Sequence, residues 1–196
     1  MRKIGTVLLF FACLAIGHSA FAQGIDFAFG VSALKSTSNY NASTGTTQQV
    51  GGGAFPGISG DFLFKKDVGV QGEVYWRATR NAYDGFQPFR PILWDFNAIY
   101  APRVGRVGGE LMAGIGALSS RFYQNTIVSC GVTGCTNYVS SNHFDLHFGG
   151  GIKLYIMKSV FIRPEAHYYY VRNNDVDFTS NNVFRVGASI GFSFGR

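Results

Sequence analysis

Eleven residues of this chain carry a carboxylate, and seven of them share one register. Asp26, Asp61, Glu73, Asp95, Glu110, Asp145 and Glu165 fall on the same side of segments that alternate between polar and apolar residues. Arg77, Lys153, Arg163 and Arg185 fall on that side as well. Charges gathered on an enclosed face are tolerated when paired or hydrated, because burying an isolated ion costs several kcal/mol. Glu73, Arg77, Asp95, Glu110, Lys153, Arg163, Glu165 and Arg185 are therefore expected to form an ion-pair network. Such a network either fixes the shape of a closed polar interior or rearranges to gate a pore.

Two further constellations suggest chemistry. In His143-x-Asp145-x-His147, alternate residues of a strand share a face, and two imidazoles with a carboxylate can bind a metal. The sequence identifies no further protein ligand, so neither a metal nor any other cofactor is assigned. Ser189, His167 and Glu165 can be written as a nucleophilic triad, with the last two on one strand and the serine on its neighbour. Their register points inward, where an acyl substrate would need a dedicated cavity, so no catalytic residues are assigned.

The elements that position these residues read as strands. Period-two alternation recurs near 25–34, 54–64, 68–80, 91–101, 107–119, 142–155, 160–172 and 182–194, with no helical period to compete. Connections alternate too. Residues 65–67, 102–106 and 156–159 are short turns, whereas 35–53, 81–90, 120–141 and 173–181 are long and polar. Eight strands so joined predict an all-β, antiparallel, up-and-down barrel with both termini at the short-turn end. Pro164, in mid-strand, predicts a bulge or a shortened strand.

Alternation does not say which face is inside; volume does. An eight-stranded barrel has an interior just wide enough for side chains to fill. The apolar face carries fifteen Phe, Tyr and Trp residues, each burying about 150–250 Å², and these cannot share that lumen with the aliphatics. The opposite face is rich in glycine and polar groups. The apolar face is therefore expected outside, against lipid, and the narrow lumen favours the closed reading over the pore.

Composition agrees. Charged residues make up 14% against roughly 25% in globular proteins, and no apolar run beyond the N-terminus approaches the roughly 18 residues of a membrane helix. Met1-Arg2-Lys3, an apolar stretch to Ile16 and Ala20-Phe21-Ala22 have the three-part layout of a secretory signal. Residues 1–22 are expected to be removed after Ala22, leaving 23–196 as the barrel and lowering the net charge from +6 to +4 with the loss of Arg2 and Lys3. In an exported, oxidising setting, Cys130 and Cys135 in a glycine-containing loop read as a disulfide; two thiols supply only half a zinc site. The basic residues are dispersed over turns and lack a groove-reading element, which excludes nucleic acid as a partner.

Residues 23–196 resemble, by pattern and not by any single motif, the small eight-stranded outer-membrane barrels of Gram-negative bacteria, the OmpA-like and OmpX-like barrel superfamily. The resemblance implies an integral outer-membrane protein with a structural or surface-interaction role. Its partners would be outer-membrane lipids, lipopolysaccharide and an extracellular ligand held by the long loops. It also implies that aromatics of the last strand, here Phe192 and Phe194, are read by the barrel-assembly machinery, although Gly195-Arg196 follow them. A small diffusion pore is the alternative. Lipid A deacylases and palmitoyltransferases also use this scaffold, but the outward His-x-Ser pair of the deacylases is absent here.

Overall fold

The computed structural model describes residues 24–36, 49–65, 67–83, 87–131, 134–175, 177–178 and 180–195. The signal segment 1–22 with its cleavage point after Ala22 lies outside the described residues. The strands are β1 (Gly24–Ser36), β2 (Ala54–Lys65), β3 (Val68–Trp76), β4 (Asn81–Tyr83), β5 (Gln87–Tyr100), β6 (Arg103–Val104), β7 (Val107–Tyr123), β8 (Ser129–Gly131), β9 (Gly134–Thr136), β10 (Tyr138–Tyr155), β11 (Val160–Val171) and β12 (Asn182–Phe194). Eight of them, β1, β2, β3, β5, β7, β10, β11 and β12, pair antiparallel in that order, and β12 returns to β1 to close the ring. Closure leaves no long strand with an unpaired edge. Among the described residues there is no helix.

Three departures from the sequence reading have physical causes. β3 stops at Trp76, and the chain returns as the short strand β4 alongside β5. β7 and β10 continue past their expected ends, pairing Ser120 with Ser141 and Tyr123 with Tyr138. There the outward positions turn polar, at Ser119, Arg121, Ser140 and Asn142, while Ser120 stays buried, so the apolar alternation that marks a strand fades although the backbone ladder continues. Pro164 makes no bulge. β11 keeps one register on β10 from Asp145↔Val171 to Tyr155↔Phe161, but Ile152 and Lys153 have no ladder partner opposite Pro164 and Arg163. The missing N–H is thus accommodated by a local gap in the ladder.

At the tip of the β7–β10 connection, β8 and β9 form a separate hairpin joined by Cys130–Cys135. Because that bridge closes only a short local loop, reduction is expected to shift the barrel's unfolding free energy by at most roughly 2 kcal/mol. Equilibrium urea unfolding with and without a thiol reductant checks this.

The two faces separate as volume requires. Thirteen of the fifteen aromatics are exposed, among them Phe29 at 65% and Phe96 at 67%, and only Trp76 and Tyr168 are partly covered. Glu73, Glu110, Lys153, Arg163 and Arg185 are buried inside. The inward register also carries rings, including Phe55, Tyr75, Phe89, Phe161 and Tyr169. Glycines make the space. A Cβ on Gly57 would lie 2.3 Å from the Tyr75 ring, and one on Gly191 would lie 2.3 Å from Phe161.

Candidate functional site: the charged lumen

The lumen is layered. At the short-turn end lies a floor of Leu63, Ile99, Ala101 and Met112, with Tyr155 and Phe161 alongside. At the loop end lies an apolar plug that includes Phe55, Phe89, Leu93, Leu118, Val171 and Phe178. Between them the strand alternation places the charges.

Lys153 on β10 spends its three donors on Asp26 at 2.8 Å, Asp61 at 2.7 Å and Glu110. Arg163 on β11 donates from Nη1 to Glu110 at 2.6 Å, from Nε to Glu165 at 2.8 Å, and from Nη2 to the Ser59 hydroxyl at 2.9 Å. Arg185 on β12 reaches both Glu73 oxygens from Nη2, at 2.7 and 2.9 Å, and approaches Glu165 at 3.4 Å. Its guanidinium also lies over the Tyr75 ring. Tyr75 and Tyr169 donate hydroxyl hydrogens to Glu165 and Glu73. Gln71 donates to both Asp61 and Glu110. Three cations on three consecutive strands of the ring thus bind carboxylates from β1, β2, β3, β7 and β11.

Two residues expected in that network stand apart from it. Arg77 follows the end of β3 at the loop-end plug. Its Nη2 donates to the carbonyls of Val50 and Gly51, and its guanidinium packs over Phe55 and Phe89. It serves the plug because it sits one layer above the nearest acids. Asp95 faces Asp145 over Gly116, with which both are in register. The two carboxyls hydrogen-bond to each other, and neither has a cation on its oxygens. Arg185, which acts on Asp95 from a distance, is held by Glu73 and Glu165 instead.

His143-x-Asp145-x-His147 does not assemble as a unit. His143 lies near the top of β10, bonded to Ser141 at 2.9 Å and Asp177 at 2.8 Å. His147 lies in the lumen, 2.8 Å from His167. The Ser189, His167 and Glu165 triad is not formed either. The Ser189 hydroxyl meets Arg163 and Glu165, and the His167 ring has no contact with it. Ser141, His143 and Asp177 do gather at the loop end, but Asp177 Oδ2 contacts both the serine and the same imidazole nitrogen. A base that bridges the two others is not what that arrangement provides.

Basic residues flank both ends of the barrel. Arg103, Arg106 and Lys158 lie at the short turns, whereas Arg80, Arg90, Arg121 and Arg172 lie at the loop end. Arg80 covers Tyr123, and Arg121 covers Tyr138.

No protein-family model and no curated protein sequence matches the chain. Solved structures do. The chain is similar to Ail, the attachment invasion locus protein of Yersinia pestis, in complex with the heparin analogue sucrose octasulfate. That match has a TM-score of 0.56 and 14% identity, covering 87% of this chain and 98% of that one. It is similar to Neisserial surface protein A, with a TM-score of 0.56 and 14% identity over 88% and 97% of the two chains. It is also similar to the outer membrane protein OprG from Pseudomonas aeruginosa, with a TM-score of 0.51 and 10% identity over 91% and 99%. At these identities the likeness is one of fold: a closed, antiparallel eight-stranded barrel.

Proposed function

We propose that this chain is an integral outer-membrane β-barrel protein of a Gram-negative bacterium, with a structural or surface-interaction role and no catalysis. In this reading, residues 1–22 direct export and are cleaved after Ala22, and Phe192 and Phe194 on the final strand are read by the barrel-assembly machinery. One observation carries the reading: a closed ring that exposes aromatic and aliphatic side chains around its whole girth while burying its carboxylates and guanidiniums. Water would reverse that arrangement, whereas acyl chains favour it. Lipid and lipopolysaccharide are then the partners of the outer face. The arginines at the loop end suit an anionic ligand at the cell surface.

The apolar plug and floor, with the fully covered Arg163 and Arg185 between them, support a lumen closed to solutes. The separation of Ser189 from His167 supports a role without catalysis. In fractionated cells the chain is expected in the outer membrane, with unboiled samples migrating differently from boiled ones on gels. The purified barrel is expected to show no steady conductance in planar bilayers. A soluble periplasmic product would overturn the membrane reading, and steady single-channel currents would replace the closed barrel with a pore.

A further inference from the structure

The structure assigns a transition-metal site to the lumen: we propose that His147, His167 and Glu73 together bind one borderline divalent cation, with zinc as the reference ion. The three side chains come from β10, β11 and β3 and meet across the lumen, all buried. His147 Nε2 lies 2.8 Å from His167 Nδ1, and Glu73 Oε1 lies 3.9 Å from the first and 4.0 Å from the second. A triangle with those sides has one point about 2.1 Å from every vertex, the length of a zinc bond to imidazole nitrogen or carboxylate oxygen.

The groups behind the imidazoles present the correct lone pairs. Gln71 gives both its observed amide hydrogen bonds to carboxylates, so its oxygen accepts from Asn97 Nδ2 at 3.2 Å. The Asn97 oxygen is then an acceptor for His147 Nδ1–H at 2.8 Å, and the bare Nε2 of His147 faces the site. On the other ring, His167 Nε2 has no hydrogen-bond partner and points toward Glu165 Oε1 at 3.6 Å. Without a metal, the 2.8 Å contact between the two rings is a hydrogen bond donated by His167 Nδ1–H; a bound metal replaces that proton, and His167 then carries its hydrogen on Nε2, facing Glu165. An outward N–H held by a carbonyl or carboxylate is the usual support of a metal-binding histidine.

Space and charge agree. Residue 149 is glycine, and a Cβ there would lie 2.4 Å from His167 Nδ1 and 3.0 Å from His147 Nε2. Asp95 is in register with Glu73, and Asp145 shares the face of His147 two residues away; the two hydrogen-bond to each other and neither is paired with a cation. With Glu165, four carboxylates surround the two rings. Arg185 opposes a second cation, but it can keep Glu73 Oε2 while Oε1 exchanges its hydrogen bonds from Arg185 and the Tyr169 hydroxyl for the metal.

The test refolds the full chain with Zn²⁺, removes loosely held metal by gel filtration against a weak chelator, and counts retained zinc. About one ion per chain is expected, falling at least tenfold in His147→Gln, His167→Gln and Gly149→Ala, and unchanged in His143→Gln. Gel mobility before and after boiling establishes that each variant is folded. Where a variant fails to fold, the wild-type chain refolded with Cu²⁺ decides, through an electron paramagnetic resonance spectrum showing coupling to two imidazole nitrogens. No retained zinc in the wild type, equal retention in the folded variants, or a copper spectrum without nitrogen coupling would overturn the site.

Discussion

Replacing Arg163 with methionine is expected to lower the stability of the folded barrel by about 3–5 kcal/mol, the cost of leaving buried carboxylates without their counterion. Arg163 is fully covered and joins Glu110 of β7 to Glu165 of its own strand, with the Ser59 and Ser189 hydroxyls completing its donors. Lys153 and Arg185 remain, each with carboxylates of its own to satisfy. Equilibrium urea unfolding in lipid vesicles reads the loss. The triple variant Arg163→Met, Glu110→Gln, Glu165→Gln is expected to regain much of it, because neutral amides need no counterion and the three positions couple directly. If the single variant stays within about 1 kcal/mol of wild type, the charged layer does not hold the barrel in shape.

An arginine in place of Phe29 is expected to be as damaging, for the opposite reason. Phe29 lies in the middle of β1 with its ring turned out and 65% exposed. At the centre of a bilayer such a replacement costs about 2–4 kcal/mol, falling to about 0–1 near the interface. Val104→Arg, at the short-turn hairpin, is thus the matched control. Folding into vesicles followed by urea titration should separate the two variants. In a water-soluble barrel both changes would be close to neutral, since each adds a charge to an exposed position. Equal, small effects would remove the membrane from the account.

The charged lumen shows how far residue types alone could be read. Alternation identifies the inward side chains strand by strand, so Lys153, Arg163, Glu165 and Arg185 could be placed inside without coordinates. It does not give their heights. His143, Asp145 and His147 share a face of β10, yet four residues of rise put His143 beside Asp177 at the rim and His147 beside His167 in the lumen. Arg77 is displaced for the same reason, past the end of β3 and among the plug's rings. The partner of a lumen charge is set by how neighbouring strands slide along one another, and a period of two is silent about sliding.

From the sequence alone followed the eight-stranded barrel, the alternation of short and long connections, the outward aromatic belt and the inward set of charges. All of these depend on side-chain period and on a volume too small for the rings. Only the tertiary structure decided the stagger of the strands and, with it, the pairing of Lys153 with three carboxylates, the pairing of Asp95 with Asp145 and the meeting of His147, His167 and Glu73. Ring closure links stagger, tilt and diameter across all eight strands at once, and no local stretch of residues encodes that sum.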